Sequence, residues 1–374
     1  MNTLVVARSD IARIVTEVGR DGLMDELITA LTEALRNYDS RITEVRKRDG
    51  FNYDRRRGSG IARGAPQELT GGLLEWMPVM ELGGTAIIKT VSYNPNNPRE
   101  HGIPTILATT SQYDVQTGHL MALSDGVFLT ALRTGAASAI ATRILAHPKS
   151  RTVGMIGCGA QAVTQLHALS RVCTIDKVLV HDTDPAAKKS FAQRVAFLKL
   201  EVRPEELKTI EAEADILVTA TSVPVGKGPV FEGRDLKPWV HINSVGSDVP
   251  GKTECPREVV ERALVCPDFR PQAMLEGECQ QIPDDLIGPS LAQLVKTPDR
   301  FTEYREKLTL FDSTGFALED KVVLEMILAH AARLGLGTAL AIEAMPSDPL
   351  DPYSVVEAEE ASAGLRSVAG LAKR

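Results

Sequence analysis

The chain has 374 residues, of which 43% are hydrophobic and 24% charged, and its formal net charge is -7. The length sets a prior of two domains and the composition is ordinary for a globular protein. The negative charge argues against a nucleic-acid partner, and no apolar run approaches a membrane span. Five scattered cysteines (158, 173, 255, 266 and 279) form no Cys-x-x-Cys pair, and the seven histidines form no His-x-x-x-His pair. Reduced thiols, no metal and a cytoplasmic location are therefore expected, and the first ten residues carry no long apolar signal region.

Residues 4–7 read as a strand, and Ser9 or Asp10 is placed to cap a helix that begins at Ile11. A second helix starts at Asp21, with Leu23, Met24, Leu27, Leu31 and Leu35 on one face. Residues 46–64 are rich in Arg, Lys and Gly and poor in aliphatics. Such a stretch is either a solvated loop or a loop that lends an arginine to an anionic ligand. Residues 73–78 and 86–93 then turn strand-like, and each run embeds one charge, Glu75 and Lys89. An unpaired buried charge is costly, so each needs a partner: an ion pair or a zwitterionic ligand, and the pattern leaves both open. Residues 104–112 and 119–123 form a hairpin around residues 114–118. Asp125 caps a long helix through Leu129, Leu132, Ala136, Ile140 and Ile144, in which Arg133 sits among small residues; Pro148 closes it.

The stretch at 151–162 carries the strongest signal. Val153, Met155 and Ile156 make a short apolar strand, Gly157 and Gly159 a turn, and Ala162 takes the third small position of a dinucleotide fingerprint. Ala160 and Gln161 open the following helix, whose free N–H groups suit a pyrophosphate. A second strand ends at Asp182, 25 residues after Gly157 and close to the roughly 20 expected of a ribose-binding acid. An acid there favours NAD over NADP. Further strands run into polar loops: residues 214–219 into Thr221 and Ser222, residues 240–244 into Val245, Gly246 and Asp248, and residues 308–312 into Ser313. Those loops lie at the strand ends where open α/β sheets bind ligands. A long amphipathic helix reaches Gly335, and residues 338–342 return as a strand to the first sheet. The expected fold is α/β: a Rossmann-type doubly wound nucleotide domain (131–315) plus a discontinuous α+β substrate and dimerisation domain (1–130 and 316–354). An Ala/Glu/Ser-rich tail (355–374) is expected to be frayed or disordered.

Several segments carry a resemblance: Leu74-Glu-Trp-Met-Pro78, Lys89-Thr-Val-Ser-Tyr93, Thr130-Ala-Leu-Arg133-Thr-Gly135, Thr219-Ala-Thr-Ser222, Gly251-Lys-Thr-Glu254 and Phe311-Asp-Ser-Thr-Gly315. With them the chain resembles the ornithine cyclodeaminase/mu-crystallin family, and within it the members that close L-lysine to L-pipecolate. The resemblance implies that the α-carbon of a basic amino acid gives a hydride to NAD+. The side-chain amine attacks the resulting imine, ammonia leaves, and the cyclic imine regains the hydride. It implies that Lys89 and Arg133 clamp the substrate carboxylate with an arginine from the preceding loop, Arg57 being favoured over Arg55, Arg56 and Arg63. Glu75 would lie near the substrate amine, Asp248 would shuttle protons, and Glu276 or Glu278 would hold the distal amine. Thr134, Gly157, Gly159, Ala160, Gln161, Asp182, Thr183, Thr221, Ser222, Val223, Val245, Gly246 and Ser313 would hold NAD. A homodimer is implied too. Two departures stand out: Ser247 precedes Asp248 where the family often has Ala, and the loop at 55–72 is long. The rival readings are an L-ornithine cyclodeaminase, an opine- or imine-reductase-type dehydrogenase with net redox turnover, and a non-catalytic binding protein.

Overall fold

The computed structural model describes residues 1–53 and 72–356. The N-terminal part supplies β1 (Thr3–Val6), α1 (Arg8–Val18), α2 (Arg20–Asn37), β2 (Thr43–Val45), β3 (Asp49–Asn52), β4 (Leu73–Glu81), β5 (Thr85–Tyr93), a short α3 (Asn97–Glu100), β6 (Ile106–Asp114) and β7 (Leu120–Asp125). The long α4 (Val127–Leu145) leads to β8 (Thr152–Ile156), α5 (Ala160–Val172), β9 (Lys177–His181), α6 (Pro185–Arg194), β10 (Val202–Pro204), α7 (Leu207–Glu213), β11 (Ile216–Thr219) and β12 (His241–Ser244). Then come α8 (Arg257–Arg262), β13 (Leu264–Pro267), α9 (Arg270–Glu276), α10 (Leu291–Lys296), β14 (Thr309–Asp312), α11 (Ala317–Leu334) and β15 (Thr338–Leu340).

The strands form two sheets. The first has the order β15-β1-β7-β6-β5-β4-β2, with β3 also on β4. It is antiparallel except where β1 lies parallel to β7. The returning strand at 338–340 closes its edge against β1, as the residue pattern predicts. The second sheet is wholly parallel, with the order β10-β9-β8-β11-β12-β14-β13. The chain winds outward from β8 to β10, then crosses to β11 on the other side. The crevice beside β8 and β11 is thus the switch point of a doubly wound sheet.

Helix α4 joins the two halves of the core. Between Leu129 and Leu145 only Ala131 and Arg143 escape burial, because the helix is covered by α2, α5 and α11. That all-round burial explains its small residues: a Cβ at Gly135 would stand 2.6 Å from the Thr164 carbonyl of α5. Two local expectations are corrected. Helix α1 starts at Arg8, and Asp10 lies inside its first turn, where its carboxylate accepts from Ala7 N at 2.9 Å. The basic stretch is not wholly loop, since residues 49–52 pair with β4 as β3.

Candidate functional site

The glycine turn is built for a dinucleotide. Gly157 has φ +98°, and a Cβ there would stand 2.4 Å from the Ala220 carbonyl, so only glycine lets β8 turn this close to the β11 loop. Gly159 precedes α5, and a Cβ there would meet nothing within 4 Å. It faces the open space a pyrophosphate needs, before a helix whose first turn has no side-chain cap. Asp182, at the end of β9, accepts from Cys158 N at 2.7 Å and from Asp184 N at 2.8 Å. Its carboxylate is therefore pinned beside the turn, at the position the fingerprint assigns to a ribose-binding acid. These residues fit the cofactor that the fingerprint implies.

Glu254 ties the other two loops of the crevice together. It accepts from Thr219 Oγ1 (2.8 Å), Thr221 N (2.7 Å), Thr221 Oγ1 (2.6 Å) and Gly246 N (2.8 Å). Its carboxylate fills the space a side chain at Gly246 would take, 2.5 Å from an added Cβ. In the sequence Glu254 stands only as the last residue of the Gly251–Glu254 segment, with no local signal of this bridging role.

Beside these loops lies a cavity with about 1240 Å³ of empty space, part of it open solvent. Glu75, Lys89, Arg133, Thr134, Gly159, Ala160, Gln161, Thr221, Ser222, Val245, Gly246, Asp248 and Ser313 all line it. So do Arg48, Tyr93 and Lys252, which sequence reading did not single out. Gly157, Asp182, Thr183 and Val223 lie outside its lining, the first two at the dinucleotide turn.

Each cation in the cavity has an acid behind it. Lys89 Nζ lies 2.8 Å from Asp320 Oδ1. Burial lowers Lys89 to about 8, Asp320 opposes that shift, and Arg133 and Arg48 reinforce it. Arg133 meets Glu319 at 2.9 Å and Asp320 at 3.2 Å. Arg48 lies 2.7 Å from Glu276 and 3.6 Å from Glu75, and its Nη2 also donates to the Thr314 carbonyl. Burial raises Glu75 above the usual carboxylate range, while Arg48 pulls it back. On the Rossmann side Asp248 is 2.9 Å from Lys252 Nζ, which stands 5.3 Å above the Tyr93 ring. Burial disfavours the Lys252 charge, but Asp248 and Tyr93 outweigh it and hold the ammonium above its ordinary range.

Glu75 and Lys89 thus both line the cavity and are both ion-paired, though not with each other. Arg55, Arg56, Arg57 and Arg63 lie outside the described residues; of the basic run, the arginine that the described residues bring to the cavity, beside Arg133 of α4, is Arg48. It belongs to the same basic run, and nothing in that run's composition marks it out. Glu278 is a correction. It is buried in the loop scaffold, accepting from Ser244 Oγ and from the N–H groups of Glu254 and Cys255, and does not line the cavity. Glu276 is committed to Arg48 and Gln272. Ser247 donates to the Lys252 carbonyl at 2.6 Å, so its hydroxyl braces the turn instead of meeting Asp248. Glu319 and Asp320 went unnoticed in the sequence. Their signal is two adjacent acids in the first turn of a long amphipathic helix.

The chain is 43% identical over 355 residues to the L-lysine cyclodeaminase of Streptomyces rapamycinicus, a match covering 95% of this chain and 100% of that protein. It is similar to the solved structure of a lysine cyclodeaminase studied for recognition of L-lysine, L-ornithine and L-2,4-diaminobutyric acid. That TM-score is 0.89 at 47% identity, over 95% of this chain and 100% of the other. An archaeal alanine dehydrogenase dimer with bound NAD is similar at a TM-score of 0.78 and 29% identity, over 92% of this chain and 100% of that one. Residues 8–333, from the first residue of α1 to the last turn of α11, match the ornithine cyclodeaminase/mu-crystallin family, and the chain belongs to it.

Proposed function

We propose that the protein is a lysine cyclodeaminase, converting L-lysine to L-pipecolate and ammonia with NAD+ as a catalytic cofactor. The observation that carries this reading is one cavity lined by Arg48, Lys89 and Arg133 together with Glu75, Asp248 and Gly159 of the dinucleotide turn. The 43% identity to a lysine cyclodeaminase supports the substrate. Gly159, Ala160 and Gln161 would hold NAD+ at the dinucleotide turn, and when bound it would supply a hydride acceptor that is regenerated within the same turnover, so that no external reductant would be consumed.

The chain's own groups do the rest. Lys89, Arg133 and Arg48 bind the α-carboxylate and so fix the α-carbon; holding both reacting ends of one substrate also makes ring closure intramolecular. Glu75 accepts from the α-amino group. Asp248, held by Lys252 yet open to the cavity, takes a proton from the amine and delivers one to the departing ammonia. Leu73, Met77 and Val91 give the cavity an apolar wall that keeps water from the imine.

The test is product analysis of the purified protein with L-lysine, or L-ornithine, and substoichiometric NAD+. Pipecolate and ammonia over many turnovers per NAD+ are expected. Proline alone would move the substrate to L-ornithine, since one methylene is worth only about 1–3 kcal/mol of discrimination. NADH accumulating in step with the amino acid consumed would replace the reading with a dehydrogenase.

The assembly proposed is a homodimer through the first sheet. One face of that sheet packs on α4 and α11, while strand residues Leu107, Met121 and Leu340 are 39%, 40% and 45% exposed. These exposed apolar side chains support an association surface on that sheet. Light scattering is expected to show twice the 40.5 kDa chain mass; a particle of the chain mass would refute it.

A further inference from the structure

Asp320 takes no part in the chemistry proposed for the cavity, yet two of the cavity's cations depend on it. It lies in the first turn of α11, is 2% exposed, and does not line the cavity. Its Oδ1 is 2.8 Å from Lys89 Nζ and 3.2 Å from Arg133 Nε. One carboxylate oxygen therefore spans strand β5 and helix α4, which carry the two cations. Its Oδ2 has no hydrogen-bond partner among the described residues. Lys89 is 1% exposed, and a buried ammonium reverts to the neutral amine unless an anion faces it. Among the described residues the charged groups around it are Asp320 from α11, Arg133 from α4, Arg48 from the β2–β3 connection and Glu75 from β4, with Glu319 of α11 behind Arg133. Glu319 is taken by Arg133 and Glu75 by Arg48, which leaves Asp320 as the acid in contact with Lys89.

We infer that Asp320 is a positioning residue for the carboxylate clamp: it keeps Lys89 an ammonium and holds Lys89 and Arg133 at one separation without touching the substrate. The inference rests on the proposed function only in taking the ligand to be an amino-acid carboxylate. Lys89 binds that carboxylate while protonated, so affinity falls as pH rises through the Lys89 midpoint. Replacing the anion by a neutral isostere leaves burial and the Arg133 charge unopposed, and the fall then begins at lower pH.

The test uses the full chain loaded with NAD+ and labelled with ¹³C at the lysine ε-carbon. Lys89 is assigned by its loss in Lys89→Arg, and its titration is followed by NMR. In Asp320→Asn the Lys89 midpoint is expected to fall by about one pH unit or more. KM for L-lysine, one unit above the natural midpoint, is expected to rise about tenfold with kcat little changed, the mark of lost ground-state binding. Adding Lys89→Arg to Asp320→Asn should remove the alkaline rise in KM, because a guanidinium stays charged. An unchanged Lys89 midpoint in Asp320→Asn overturns the inference. If that variant does not fold, Asp320→Glu keeps the charge and moves the oxygen by one methylene. A natural KM and midpoint in Asp320→Glu would also overturn it. The NMR titration needs no substrate, so absence of L-lysine turnover in the natural chain would count against the proposed function and leave Asp320 to be decided by the midpoint.

Discussion

Among the described residues Asp248 has a single ammonium partner, and its side chain is still 29% exposed, which suits a group that must exchange protons with a ligand. Replacing it by Asn keeps the shape and removes the proton acceptor. Asp248→Asn is expected to lower turnover by about 10²–10⁴-fold, with NAD+ binding by fluorescence titration unchanged. Full activity in that variant would sink the proton-shuttle role. Arg48 poses a sharper question, because the sequence favoured Arg57. Arg48→Met is expected to raise KM for L-lysine at least about tenfold, one charge-assisted hydrogen bond being worth roughly 1.5–3 kcal/mol. If Arg57→Met has that effect instead, the clamp arginine is Arg57.

At the scale of an element, the two glycines of the β8–α5 turn do different jobs. Gly157 is required by the backbone, with φ +98° and a carbonyl 2.4 Å from any Cβ, whereas Gly159 is required by the space in front of it. Gly157→Ala is therefore expected to destabilise the fold by about 1–3 kcal/mol or more, read as a lower urea midpoint. Gly159→Ala should leave that midpoint alone and weaken NAD+ binding, because its methyl enters the pyrophosphate space. Equal stability losses in the two variants would contradict this division.

Over the whole molecule, buried acids set a pH dependence of stability. Burial, reinforced by the Asp312 charge, raises Glu278 to about 8, and burial, opposed by hydrogen bonds from Cys279 and Glu278, raises Asp312 to about 7. Both folded-state values lie above the ordinary ones of 4.5 and 3.8. The folded chain thus holds protons that the unfolded chain releases. Their stabilisation is complete below about pH 4 and is lost as pH rises through about 8. The urea midpoint is expected to fall between pH 5 and pH 8, and Asp312→Asn to flatten that fall. A midpoint that climbs across this window would show the acids to be ionised in the folded state.

Much of the architecture was determined by the sequence alone, because its signals are local. The apolar strand at 152–156, the glycine turn, the acid at 182 and the polar loops after each strand were each legible from a few neighbouring residues. So was the strand at 338–340, and the family resemblance drew on the same short segments. What only the tertiary structure decided are pairings between residues far apart in the chain. Lys89 meets Asp320 across 231 positions, and Arg133 meets Glu319 across 186. Glu254 bridges two loops that the sequence showed only as separate strand exits. Arg48 emerged from a run of near-identical basic residues because β3 pairs with β4 beside the cavity. The physical reason is common to all of these: periodicity and turn chemistry are written in adjacent residues, whereas the partner of a buried charge is chosen by the packing that surrounds it.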